Sequence, residues 1–71
     1  MRIYQLTGIG QNLASNPTSQ QTTAMKVLYW LRRHGGRGTD EQMRTFVDAS
    51  PSDIHMAVNN LVRMKAIVPI G

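Results

Sequence analysis

The chain contains no cysteine, so neither a disulfide nor a thiolate-bound zinc can staple it. It also lacks a long hydrophobic run. The longest apolar stretch, Val27 to Leu31, is far too short to span a bilayer, and Met1-Arg2-Ile3-Tyr4-Gln5 has none of the uninterrupted apolar character of a secretory signal. Acidic residues are few: four, against eight lysines and arginines, for a formal net charge of +4. The two histidines, His34 and His55, fall on different predicted elements with no second histidine at helical spacing, which excludes a recognisable metal-ligand pattern. No cofactor or metal is expected. The serines all have cap or loop explanations, and a domain this small rarely encloses a pocket, so no enzyme activity is expected either. These absences predict one soluble, cytoplasmic domain over residues 1–71, with no membrane association, held by a single apolar core.

What is present is an ordered set of helical signals. Thr39-Asp-Glu-Gln42 reads as a capping box in which the Thr39 oxygen accepts from a backbone N–H three residues on while Gln42 reaches back. Met43, Phe46 and Val47 then give a short helix one apolar face. Asp48-Ala49-Ser50-Pro51 breaks the pattern and starts another helix, with Ser50 as N-cap and Pro51 at the first helical position. From Pro51 to Lys65, Ile54, Ala57, Val58, Leu61 and Val62 line one side. So short a turn between two helices predicts a steep crossing, a helix-turn-helix over about residues 39–65.

Around this pair the sequence predicts further elements. Arg2 to Leu6 alternates, with Tyr4 and Leu6 on one face, as a strand would. Thr7 can cap a short helix in which Ile9 and Leu13 face inward, stopped at Asn16-Pro17-Thr18. Thr18 or Ser19 caps a long helix to about His34, with Ala24, Val27, Leu28 and Leu31 inside and Trp30 at the core or its rim. Gly35 supplies a left-handed cap, followed by Gly36-Arg37-Gly38 as a flexible link. Neither Gly8-Ile9-Gly10 nor this link completes a nucleotide-binding pattern. Ala66 to Ile70 reads as a second strand, pushed to a sheet edge by Pro69, and a natural partner for Arg2 to Leu6. The expected fold is mainly α with a small two-stranded antiparallel sheet and a core of Leu28, Leu31, Phe46, Ile54, Val58 and Leu61.

On a helical wheel, the side of the second helix opposite its apolar stripe carries Ser52, His55, Met56, Asn59, Asn60 and Arg63. Asn can bond adenine bidentately, Arg can bond guanine, and an apolar side chain can meet a thymine methyl. An ordinary solvated face would be richer in Glu and Lys, and the cluster contains neither. Three of the four acids sit at predicted helix starts, where they have a structural role, while the bases are spread along the chain.

Residues 19–70 resemble winged-helix DNA-binding domains of small bacterial and archaeal repressors, of the MarR and PadR kind. The likeness lies in Val27-Leu28-Tyr29-Trp30-Leu31-Arg32-Arg33-His34-Gly35-Gly36, in Thr39-Asp-Glu-Gln42, and in the run from Ile54 to Val68. It implies a three-helix core, with the last helix as the recognition helix running into the first wing strand. Tyr4-Gln-Leu-Thr7, Gly10 and Leu13-Ala14 look like the wing's return strand and the helix after it. That pattern normally follows the recognition helix, whereas here it opens the chain, so the wing is shortened or absent. Either the N-terminal strand takes the sheet position of the wing strand, or the two are unrelated.

Two functions follow. One is sequence-specific binding of double-stranded DNA by a transcriptional regulator. Ser52, His55, Met56, Asn59, Asn60 and Arg63 would then reach bases in the major groove, while Arg37, Thr39, Arg44 and Lys65 hold phosphates. The other is a winged-helix protein-interaction module, with a protein partner or a second copy of the chain.

Overall fold

Tyr4 and Leu6 are buried while Ile3 is exposed, and this alternation places one strand, β1 (Ile3–Leu6), face down on the helices. The computed structural model describes residues 2–15 and 22–71, so the expected stop at Asn16-Pro17-Thr18 and the expected caps Thr18 and Ser19 lie outside the described residues. After β1 come α1 (Gly8–Ser15), α2 (Thr23–Arg33), β2 (Arg37–Thr39), α3 (Asp40–Phe46), α4 (Pro51–Arg63) and β3 (Ile67–Pro69). The sheet has three strands, ordered β2-β1-β3. β1 runs antiparallel to both neighbours, pairing Tyr4 with Gly38 on one side and Gln5 with Val68 on the other.

The pairing of the two end strands is as expected from the sequence, but the sheet is larger than the two strands anticipated. Gly36-Arg37-Gly38 is not a flexible link; residues 37–39 form β2. Gly35 and Gly36 both adopt positive φ, +75° and +85°, and Gly36 N donates to Leu31 O at 2.8 Å. This is the hydrogen bond that closes a helix and reverses the chain. The turn delivers the chain directly into the sheet, where Leu6 N donates to Gly36 O at 2.7 Å. A three-residue strand holding two non-glycine residues has too little alternation to register as a pattern. Gly38 is required there by packing, since a Cβ on it would run into the Trp30 ring.

Helices α2 and α4 form the centre of the core. Val27, Leu28 and Leu31 are buried with Ile54, Ala57, Val58 and Leu61, and Tyr4, Leu6, Ala66 and Ile67 close the sheet side. Two residues depart from expectation. Phe46, expected in the core, is 66% exposed, whereas Met43 and Val47, expected on the same apolar face, are buried. Met43 points inward from within α3 and Val47, the extended C-cap, is buried after it, while Phe46, the last helical residue, lies near the Trp30 ring outside the core. In α1, Gly10 and Ala14 face inward with Leu13 partly buried against the core, while Ile9, expected inside, is 51% exposed. The cap of α2 is Thr22, whose side chain accepts from Met25 N.

The rotation of α1 is set by a contact distant in sequence. Thr7 Oγ1 accepts from Gly10 N at 3.1 Å and shares its one hydrogen between Lys65 O and Ala66 O, the latter at 3.0 Å. Thr7 N also donates to Ala66 O, at 3.0 Å. The first turn of α1 is thereby pressed against the turn between α4 and β3, and a Cβ on Gly10 would collide with the Ala66 carbonyl oxygen. Gly10→Ala is therefore expected to cost about 1–3 kcal/mol or more, the price of overpacking a site that cannot yield. Thr7→Val, which keeps the shape and removes the hydroxyl, should cost about 1–2 kcal/mol. Gly8→Ala, where an added methyl meets nothing within 4 Å, should be neutral or slightly stabilising. Chemical denaturation of the three variants checks the ordering, and equal stability of Gly10→Ala and Gly8→Ala would refute it.

Candidate nucleic-acid interface

The helix pair α3–α4 is set by its caps. Thr39 Oγ1 accepts from Gln42 N at 3.0 Å and Gln42 Oε1 accepts from Thr39 N at 3.1 Å, so the capping box expected from the sequence is complete. Ser50 Oγ accepts from Asp53 N at 3.1 Å, with Pro51 following it at the start of α4. Asp40, Glu41 and Asp53 lie in the first turns of these helices, where a negative charge meets the positive end of the helix dipole.

With Ile54, Ala57, Val58 and Leu61 turned into the core, Ser52, His55, Met56, Asn59, Asn60 and Arg63 are all exposed together on the other side of α4. Asn59 Nδ2 lies 3.3 Å from His55 Nε2, one turn away. With one amide N–H turned to the ring nitrogen, the Asn59 carbonyl oxygen and its second N–H are left for another partner. Beside His55 is a hollow of about 490 Å³ between α3, α4 and the start of β1, whose walls include Arg2, Asp40 and Arg44. Arg44 reaches Asp40 at 3.9 Å, one turn back on α3, with both side chains well exposed. Exposed pairs of this kind are weak, so Arg44 is free to exchange that carboxylate for a phosphate.

The other residues expected to hold phosphates are more scattered. Arg37 stands on the edge strand β2 opposite Gln5, on the side away from buried Gly38. The Thr39 oxygen is occupied by its cap. Lys65 lies beyond the C-terminal end of α4, in the left-handed conformation with φ +60°. There Lys65 N donates to Val62 O and Ala66 N donates to Leu61 O, which together close the helix. The helix thus ends at Arg63, two residues earlier than its sequence pattern suggests. Arg2 was not among the expected contacts. Nothing local marks it, and it reaches the hollow only because β1 lies beside β2, where Asp40 N donates to Arg2 O at 3.2 Å. Among the described residues there is no group of three side chains that could hold a metal ion, and no helix long and apolar enough to cross a membrane.

Comparison with protein-family models, with curated proteins and with solved structures finds no match to this chain.

Lys65 allows the structural and the binding roles of one residue to be separated. Lys65→Gly relieves the left-handed strain of a residue bearing a Cβ and should raise stability by about 0.5–1 kcal/mol. Lys65→Ala keeps the strain and removes the charge. If Lys65 also holds a phosphate, both variants should weaken duplex binding equally although they differ in melting temperature; a loss confined to one of them would refute the contact.

Proposed function

We propose that this protein binds double-stranded DNA sequence-specifically as a cytoplasmic transcriptional regulator of winged-helix type, with α4 in the major groove and α3 across the phosphate backbone. The observation that carries the reading is the two-sided character of α4. Its inner side is fully committed to the core, while its outer side presents Ser52, His55, Met56, Asn59, Asn60 and Arg63 as one exposed surface free of Glu and Lys. Donors and acceptors suited to base edges occupy that surface. Arg2 and Arg44 lie in the hollow along its flank, where a backbone phosphate would pass. The winged-helix reading draws support from the sheet order: β1 lies between β2 and β3, in the position a return strand after β3 would take.

A protein-interaction module is the second reading, and a specific observation favours it. Met56 is 61% exposed on the outer side of α4, and Ile3, Val68 and Ile70 leave the outer face of the sheet partly apolar. Such a surface suits a protein partner or a second copy of the chain.

The two readings separate in a titration against a site recovered from a random duplex pool. Asn59→Ala should cost roughly 1–3 kcal/mol at that site and relax sequence preference there. Arg44→Ala and Arg2→Ala should each weaken all duplexes alike and lower the salt slope by about one phosphate contact. All three residues are exposed, so thermal unfolding should be nearly unchanged. Absence of salt-dependent affinity of the unmodified chain for any duplex would reject the DNA reading and leave the interaction module in its place.

A further inference from the structure

On the other side of α2 from the core, the end of α1, the outer side of α2 and the residues closing α3 border an open cleft of about 900 Å³. Its floor is aromatic. The Trp30 ring stacks on His34 with centroids 4.3 Å apart, and lies within 11° of parallel to Phe46 at 6.4 Å. His34 Nδ1 donates to Trp30 O at 2.7 Å, which holds the imidazole over the indole.

Three cations stand around this floor: Lys26, Arg32 and Arg33. Lys26 Nζ donates to Asp48 O at 3.0 Å and an Arg32 guanidinium N–H donates to Ala14 O at 3.3 Å. Both acceptors are uncharged backbone carbonyls. Among the described residues the ion pair within range is Arg44–Asp40, on α3, and the cleft's lining sets one carboxylate, Asp48, against three cations, so the cleft keeps a positive balance. Arg32 and Arg33 complement the negative end of α2, but that role does not account for Phe46, which leaves two thirds of its surface in water.

We propose that the cleft docks an acidic peptide segment of a partner protein. One aromatic or large aliphatic side chain of the peptide lies against Trp30 and Phe46, and its flanking carboxylates pair with Lys26, Arg32 and Arg33. Charge complementarity selects the acidic partner, and Arg forks hold carboxylates in a fixed geometry. One anchoring side chain is favoured over a run of bases, because a single strand needs successive free ring faces, and of Tyr29, Trp30 and Phe46 only Phe46 is exposed. The Trp30 ring is already stacked on His34. The proposal does not depend on the DNA-binding reading, since it uses none of the outer residues of α4.

The test is selection of a random displayed peptide library on the immobilised protein, with Arg33→Glu as counter-selection. Sequences combining an aromatic or large aliphatic residue with Asp and Glu should be enriched. Binding of a synthetic representative should perturb the emission of Trp30, the single tryptophan of the chain. By anisotropy of the labelled peptide, Phe46→Ala and Arg33→Glu should each weaken it about tenfold or more, the effect of losing one hot-spot residue, while Asn59→Ala binds as the unmodified chain does. Circular dichroism confirms that the variants stay folded. Enrichment of basic or uncharged sequences, or none beyond the counter-selected pool, would overturn the proposal. So would oligothymidylate that binds more tightly than the selected peptides and responds to the same two variants; the cleft would then be a single-strand platform.

Discussion

The structure depends on the Ala66 carbonyl. It accepts from both the backbone N–H and the hydroxyl of Thr7, joining residues that are nearly a full chain length apart. Through that junction β1 is fixed beside β3, and the turn into α1 is fixed against the end of α4. The strands β2 and β3 have only three residues each and could not stand alone. With β1 between them, each gains a partner, and the buried side of the sheet closes over α2 and α4. The absence of a side chain at Gly10 allows the approach. Without cysteine, a chain of this size has few other ways to bind its ends together.

The distribution of charge follows from the same economy. Asp40, Glu41 and Asp53 stand in the first turns of α3 and α4, where each favours the helix it begins. Asp40 meets Arg44 at 3.9 Å with both side chains exposed, a weak pairing, and Asp48 stands alone beside Lys26, Arg32 and Arg33. Arg2 and Arg44 on one side of the molecule, and Lys26, Arg32 and Arg33 on another, therefore present two separate positive surfaces. One flanks polar groups suited to base edges; the other surrounds aromatic rings. The different chemistry between the cations separates the partners proposed for the two surfaces.

Much of this was legible in the sequence wherever a local pattern decides the structure. The Thr39–Gln42 capping box, the Ser50-Pro51 start, the left-handed turn at Gly35 and the inner stripes of α2 and α4 are each set by residues within a turn or two of one another. Errors arose where a distant contact decides. Ile9 and Leu13 have a reasonable helical spacing, yet Gly10 faces inward because Ala66 demands close approach. Phe46 is a better core residue than Met43 by size alone, but the orientation of α3 is set by its Thr39 cap and its short link to α4. The strand β2 escaped notice because Gly36 and Gly38, which look like punctuation, are a turn and a packing surface. Arg2 could have been placed in the candidate site only by knowing that β1 is the central strand.

Helix α4 is held at both ends by unrelated devices. At its start, Ser50 and Pro51 cap it and a link of residues 47–50 joins it to α3; at its finish, the left-handed turn through Lys65 ties it to Thr7 and the sheet. Thirteen residues separate these anchors by ~20 Å at 1.5 Å per residue. A helix pinned over that length cannot tilt without breaking one anchor or the core stripe between them. Its outer side is therefore presented in a fixed orientation relative to Arg2 and Arg44, whatever residues that side carries. Under the DNA-binding reading this division matters more than any single contact. The anchors and inner stripe set the angle at which α4 meets a groove, and the outer residues can change with the target while the fold stays the same. A surface that must be both orderly and variable is best built on a helix whose stability owes nothing to that surface.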